Sequence, residues 1–416
     1  MLRVVEAFSG IGSQAKALQN IGAEFEIAAT IEWDINATYA YDIIHNGMQE
    51  LSDDIGLMSK PELVHTLLEM GVSVDGKKPA SQTSLKVLSK EALRGIMYAI
   101  RRTKNLVDIT GVTAEDVPNE VDVFTYSFPC QDLSISGSWH GNMSGISRNA
   151  NNRSGMLWEV ERIMLEHKQI NKRLPGFLLM ENVSNILSRT HNGDFTDWQK
   201  TLENLGYVNQ IYTLNALNFG VPQERKRTFM LSVLCEDSVK QDMLRNYFES
   251  NDLEKYIDPA VSPLSDYLRT DYANEIYKSE AEESNPFYTP SRRKILMDND
   301  IVFDGIKVVK DTIKTITTKQ DRNPNSGIIR YYSSIKQKAP YRNITPRECF
   351  LLMGFREDDF DSLMRNNVDV RKGRKIFFRE KLIKLAGNSI VVDVLEEIFR
   401  QIIDIKENVI SSPTKG

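Results

Sequence analysis

The stretch that most constrains the fold comes first: LRVVEAF, followed at once by SGIG. Leu2–Phe8 is a short apolar run that reads as a strand. Gly10 and Gly12 then permit a tight turn, and Ser13–Asn20 has helical patterning. A strand, a glycine turn and a helix present backbone N–H groups and a helix N-terminus to a ligand. The rhythm continues. Glu26–Ile31, Val121–Ser127, Gly176–Met180 and Thr228–Leu234 read as further strands, with helical stretches such as Ser154–His167 between them. Strands separated by helices predict an α/β fold with a mostly parallel sheet covered on both faces.

Two segments interrupt that rhythm. Residues 52–105 form a charged, helical insertion between early elements. After Leu234 the alternation stops, and the chain becomes acidic and rich in Tyr and Asn, so a domain boundary is expected near 235. Regular patterning returns with the proline-started helix TPRECFLLMGF at 345–355 and ends in the apolar helix VVDVLEEIFRQII. The net charge of −5 hides a split. Residues 235–290 carry 13 acidic against 5 basic side chains, and residues 305–347 carry 10 basic against 2 acidic. The basic run is either a solvated face or a surface that contacts phosphates. No apolar run approaches the roughly 20 residues a membrane helix needs, and the N-terminus has no signal-peptide pattern, so a cytoplasmic location is expected.

Cys130, Cys235 and Cys349 are sparse and odd in number, which argues against a disulfide framework, and the absence of any C-x-x-C argues against zinc. Cys130 lies in FPCQDLS, just past the strand Val121–Ser127, where open α/β sheets bind ligands. Glu181, in MENV, also follows a strand directly. Glu32 stands 20 positions past Gly12 at the end of the second strand, placed to accept from ribose hydroxyls, and an adenosine-containing cofactor other than a dinucleotide is equally open. Trp33 beside it is either an adenine-stacking surface or a half-buried core residue. Arg225 and Arg227, in GVPQERKR, share a face if the strand has begun, and so reach one anionic or carbonyl group, or they are an ordinary charged lead-in. Residues 134–155, rich in Gly, Ser and Asn, read as a binding loop or an idle surface loop.

These residues fall into an order that resembles the cytosine-5 DNA methyltransferases over nearly the whole chain. The matching motifs are FSGIG (8–12), EWD (32–34), DIT (108–110), SFPCQDLS (127–134), SGMLWEVERI (154–163), MENV (180–183), QERKR (223–227), ITPRECFLLMGF (344–355) and GNSI (387–390). The resemblance implies a Rossmann-like, S-adenosylmethionine-dependent catalytic domain of residues 1–234, completed by 376–416, and a smaller, irregular target-recognition domain of residues 235–375. It implies that Cys130 attacks C6 of a flipped cytosine, that Glu181 serves N3, and that Arg225 and Arg227 serve O2. It places Phe8, Gly10, Gly12, Glu32, Trp33, Asp108, Ile109, Leu157, Asn388 and Ser389 at the cofactor. Gln131, Ser134, Arg148, Arg153, Gln223, Thr315, Thr317 and Arg330 are expected at the DNA, with the T-I-T of 315–317 similar to the recurring turn of recognition domains. Residues 134–155 resemble the family's loop that closes over the flipped base.

The stretch from SFPCQDLS through RSGMLWEVER, with the 52–105 insertion, is similar to bacterial enzymes that methylate CpG, but residues 235–343 do not extend that comparison. Double-stranded DNA is the implied partner. A monomer is expected, with a cognate restriction endonuclease where the enzyme belongs to a restriction–modification pair. Three other readings compete: a tRNA cytosine-5 methyltransferase, from a branch of the same family; a catalytically inactive DNA-binding relative; and a NAD-dependent oxidoreductase, for which no substrate-side histidine or Tyr/Lys pair accompanies the glycine turn.

Overall fold

The computed structural model describes residues 1–50, 53–129, 153–258 and 260–411. A six-stranded sheet lies at its centre: β1 (Leu2–Ala7), β2 (Phe25–Ile31), β3 (Val123–Tyr126), β4 (Phe177–Val183), β5 (Tyr207–Asn215) and, after the two-residue β6 (Gln223–Glu224), β7 (Lys226–Leu234). Their order is β2-β1-β3-β4-β7-β5. The first four run parallel, and β7 is antiparallel to both of its neighbours. The mostly parallel sheet is as expected, but β5 was not read from the sequence.

Alternation along each strand builds a core on both faces. Val4, Val123 and Leu179 point to one side, and Val5, Phe124 and Leu178 to the other. The first face is covered by the helices Ser13–Asn20, Ile35–Asn46, Lys90–Arg102 and Val392–Ile405. The second is covered by Leu157–Gln169 and Asn192–Asn204. The last of these helices in the chain packs on the first: Asn20 Nδ2 donates to Glu396 Oε1 at 2.8 Å. The 52–105 insertion is helical, through Lys60–Glu69, Gln82–Lys86 and Lys90–Arg102. No helix among the described residues is long and apolar enough to cross a membrane.

Packing draws the division after Leu234 differently from composition. The helix Ser238–Ser250 belongs with the sheet domain, where Tyr247 donates to Asp404 at 2.5 Å and Lys240 to the Ile410 carbonyl at 2.5 Å. The helices Pro346–Leu351 and Glu357–Arg365 also pack on it, and Lys16 pairs with Asp359 at 2.8 Å. A separate small sheet forms from β8 (Ile301–Phe303), β10 (Ile328–Arg330) and β11 (Tyr341–Asn343), while β9 (Ile313–Lys314) pairs with β6. Here the acidic and basic halves of the chain meet. Arg342, fully buried, grips Glu348 with both terminal nitrogens (2.8 and 2.7 Å), and Arg347 gathers Glu280, Glu357 and Asp361. Two of the ten cations counted in the basic run are therefore internal and do not face a phosphate backbone.

Candidate active site

The strand register brings the motifs together. Ala7 pairs with Tyr126 and Tyr126 with Met180, so β1 and β3 end level and release Phe8 and Ser127 beside Glu181, which does not follow β4, as expected from sequence, but lies within it, because pairing with β7 carries β4 on to Val183. β7 runs the other way, so Arg227 enters the sheet at this same edge, opposite Val183. A cavity of about 210 Å³ opens there, lined by residues from the glycine turn, EWD, DIT, FP, ENV, QERKR and GNSI segments. Of the expected catalytic and cofactor residues, Phe8, Gly10, Glu32, Trp33, Asp108, Ile109, Glu181, Arg225, Arg227, Asn388 and Ser389 all line it.

At one end, Glu32 is the polar centre. Its carboxylate accepts from the Gly10 amide (3.1 Å) and the Asp34 amide (2.8 Å). Burial, reinforced by the neighbouring Asp34, pushes it up to about 7. The Asn105 side chain fixes the same segment, accepting from the Glu32 amide at 3.0 Å and donating to its carbonyl at 2.8 Å. Two non-glycine residues on the wall have left-handed backbones, Phe8 (φ 57°) and Val107 (φ 65°). Such a conformation costs on the order of 1–3 kcal/mol, more unusual still for β-branched valine, and clusters at ligand sites. An apolar wall with a few convergent polar groups suits a nucleoside-bearing ligand. Glu32 has the acceptor chemistry for ribose hydroxyls, Asp108 that for an amino group, Trp33 offers a flat aromatic face and Ile109 an apolar surface.

At the other end, Glu181 Oε1 lies 3.2 Å from Arg227 Nε. Burial pushes the Glu181 carboxyl up, against the pull of Arg227 and Arg225. Asn182 donates from Nδ2 to the Phe128 carbonyl at 3.0 Å, tying ENV to the FP turn two residues before Cys130. Cys130, Gln131, Ser134 and Arg148 lie outside the described residues, as does most of 134–155, and only the backbone of Arg153 is described, in the turn Arg153–Met156. The other two thiols, Cys235 and Cys349, are buried and pushed up by that burial, which makes them poor nucleophiles.

Several expected residues sit elsewhere. Gln223, expected at DNA, is fully buried: it donates to the Leu352 carbonyl (2.8 Å) and accepts from the Ile316 amide (3.0 Å). Its role in the fold is to hold the T-I-T turn. Leu157 is fully buried in the core behind the cavity, and Met156 takes the wall position. Gly12 does not line the cavity; at φ 80° it leaves room for the rings of His45 and Tyr41, which any side chain would strike. Thr315 Oγ1 donates to the Glu224 carbonyl at 2.7 Å, Thr317 Oγ1 accepts from the Lys319 amide at 3.3 Å, and Arg330 is on β10 of the small sheet.

Arg225 does more than the sequence suggested. Its guanidinium donates to the carbonyls of Ile316 (2.8 Å), Ser389 (2.8 Å) and Gly387 (3.2 Å). It thereby joins three distant segments, and Gly387 has no room for a side chain, since a Cβ would fall 2.5 Å from the Thr318 nitrogen. Asn105, Val107, Gly76 and Lys384 were not found from sequence, because their importance rests on tertiary neighbours and not on any local motif.

Residues 88–404 match the family model described as C-5 cytosine-specific DNA methylase. The chain is 33% identical to the orphan methyltransferase M.SssI of Spiroplasma monobiae, over 96% of this chain and 97% of that protein. It is 30% identical to the type II methyltransferase M2.ScrFI of Lactococcus lactis subsp. cremoris, over 97% and 99%. Among solved structures, the S. pombe Dnmt2 methyltransferase shares the fold with a TM-score of 0.58, at 19% identity and covering 98% of this chain and all of that one.

Proposed function

The chain belongs to the C-5 cytosine-specific DNA methylase family and methylates cytosine C5 in DNA, and from that premise we propose how its own residues divide the work. S-adenosylmethionine, bound at the Glu32 end, supplies an electrophilic methyl group. Glu32 accepts from the ribose hydroxyls, Trp33 and Ile109 enclose the adenine, Asp108 accepts from its amino group, and Asn388 and Ser389 close the far side.

Cytosine C5 is too weak a nucleophile to react unaided. The Cys130 thiolate forms a bond to C6, and the electron pair displaced from the ring is drained towards N3, where Glu181 holds a proton. Arg227 donates to O2. C5, now enamine-like, takes the methyl group. Loss of the C5 proton then restores the double bond and expels the Cys130 sulfur. One hard step becomes two easier ones. A Glu181 carboxyl raised by burial keeps its proton nearer neutrality, as a general acid requires. The cytosine reaches this cavity by leaving the duplex, at a cost of about a few kcal/mol. Sequence is read by the region around β8–β11, whose T-I-T turn meets the catalytic domain at Gln223 and Arg225. The acting unit is a monomer on double-stranded DNA.

The observation that carries this reading is the Glu181–Arg227 pair, 3.2 Å apart in the same cavity as Gly10 and Glu32 and beside the FP turn that leads to Cys130. The test is to incubate the protein with duplex DNA, tRNA and labelled S-adenosylmethionine, then bisulfite-sequence the DNA. Label in DNA at one recurring short sequence is expected. Label in tRNA alone would overturn the assignment of the site to a flipped DNA base, and no label in either would favour a catalytically inactive relative.

A further inference from the structure

The 52–105 insertion is not a remote decoration of the sheet. Its loop Ser73–Lys78 reaches the cofactor end of the cavity, where Gly76 forms part of the wall. The loop is built to hold its shape. Ser73 Oγ donates to the Lys78 carbonyl (2.6 Å) and accepts from the Gly76 amide (3.0 Å), while Asp75 accepts from the Lys77 amide (2.9 Å). It is also stitched to the EWD segment. The Ser73 amide donates to the Trp33 carbonyl (2.7 Å) and the Ile35 amide to the Ser73 carbonyl (3.0 Å), a parallel bridge that continues β2. Asn36 Nδ2 adds a bond to the Val74 carbonyl at 3.0 Å.

A third segment clamps the loop from outside. Lys384, on the helix Arg379–Asn388, donates to Asp34 Oδ2 (2.9 Å) and to the Asp75 carbonyl (2.6 Å). Lys381, one turn earlier, donates to the Val74 carbonyl at 3.0 Å. Lys384 itself lines the cavity. The fit at Gly76 is close: at φ 66°, a Cβ there would fall 2.6 Å from Asp34 Oδ2 and 3.0 Å from Lys384 Nζ. Further back, a Cβ added at Gly71 would come within ordinary contact distance of the Asp108 side chain. The insertion therefore touches the segments that carry Glu32, Trp33 and Asp108, and is fastened by the helix that ends in Asn388.

We propose that the Ser73–Lys78 loop is a cofactor clasp, a part of the S-adenosylmethionine site contributed by the insertion, and that Lys384 is the positioning residue that holds it against Asp34. This rests on the placing of the cofactor at the Glu32 end. Without Lys384 the loop loses its anchor to Asp34 and to the Asp75 carbonyl. If the loop then closes over the bound cofactor about tenfold less favourably, the apparent cofactor affinity falls about tenfold. The effect belongs to retention, so it appears mainly in the dissociation rate.

The experiment uses the full chain with S-adenosylhomocysteine in titration calorimetry and labelled S-adenosylmethionine in dissociation measurements. Lys384→Met is expected to weaken binding about tenfold through faster release, with affinity for duplex DNA and kcat at saturating cofactor changed far less. Lys384→Arg, which keeps a cation and donors for Asp34 and the Asp75 carbonyl, should recover most of the loss. Gly76→Val, which crowds Asp34 without removing the charge, should act in the same direction as Lys384→Met. Unchanged cofactor dissociation in both Lys384→Met and Gly76→Val would overturn the clasp. So would parallel losses in cofactor and DNA affinity without rescue by Lys384→Arg, which indicate a merely structural lysine. Failure of the wild-type protein to bind either S-adenosyl compound would instead refute the placing of the cofactor on which the clasp rests.

Discussion

Replacing Arg225 by methionine separates two roles that a motif comparison merges. In the structure this guanidinium is almost wholly buried and donates to three backbone carbonyls, two at 2.8 Å and one at 3.2 Å, on segments 91 to 164 positions away in the chain. Methionine fills much of the same volume but leaves those carbonyls without their charged donor. A buried acceptor left without its donor typically costs about 1–3 kcal/mol, so losing three is a large share of a stability of about 5–15 kcal/mol. Arg227 is the natural contrast: it is more exposed and, among the described residues, makes one ion pair, to Glu181, and one bond to the neighbouring Lys226 carbonyl, so its loss should cost less than that of Arg225. Urea unfolding monitored by tryptophan fluorescence measures both. The Arg225→Met midpoint should fall well below that of Arg227→Met, and cofactor affinity should fall with it, because Ser389 and Gly387 are held by the same group. Arg227→Met should lose methyl transfer while remaining folded and able to bind cofactor. An Arg225→Met protein with the wild-type midpoint and wild-type cofactor affinity would refute the reasoning and return Arg225 to a role on the base alone.

Three further outcomes are expected. Cys130→Ser should abolish transfer and the trapping of protein on DNA carrying a C5-blocked cytosine, with cofactor affinity kept in calorimetry; equal turnover would end the covalent mechanism. Glu181→Gln should lower the transfer rate by about 10²–10⁴ at unchanged cofactor affinity, and in the wild type the rate should fall on the alkaline side as the carboxyl, pushed up by burial, gives up its proton. Glu6 is fully buried and pushed up from 4.5 to about 7 by that burial, moderated by the Tyr41 hydroxyl and the Ala15 amide. Because the folded state binds this proton more tightly, its stabilisation is complete below pH 4.5 and is lost as pH rises through about 7. The urea midpoint of Glu6→Gln should therefore decline less than that of the wild type across this window, though not become flat, since Glu32 and Asp393 are also pushed up to about 7.

Much of the catalytic end was legible because it is written in local geometry. A strand that stops at a glycine turn, or that carries Glu181 near its carboxyl end, says where a parallel sheet has its open edge, and the register of Ala7, Tyr126 and Met180 then does the rest. What escaped the sequence was tertiary. β5, YVNQIYTLN, sits at the sheet's edge and has four successive partly buried residues at 208–211, so its polar composition hid it. Gln223 stands beside two arginines and reads as a surface residue, yet it is a fully buried clip between Leu352 and Ile316. Counting charges overstated the basic face, because Arg342 and Arg347 find their acids inside the fold. The 52–105 insertion gave no sign that Gly76 and Lys384 meet at a cavity, since 308 positions separate them and neither lies in a motif.

The packing of the last long helix on the first also sets a timetable. The Ser13 hydroxyl meets that of Ser389 at 2.6 Å, and Val392–Ile405 covers the helix Ser13–Asn20. A ribosome working at roughly 5–20 residues per second delivers Glu32 tens of seconds before Asn388. For the later part of that interval the nascent chain carries Cys130 and half of the cavity lining. The region around β8–β11, proposed above to read the target, emerges before the pocket is closed. On that reading, the order of synthesis brings the power to transfer a methyl group only after the means to choose where it goes.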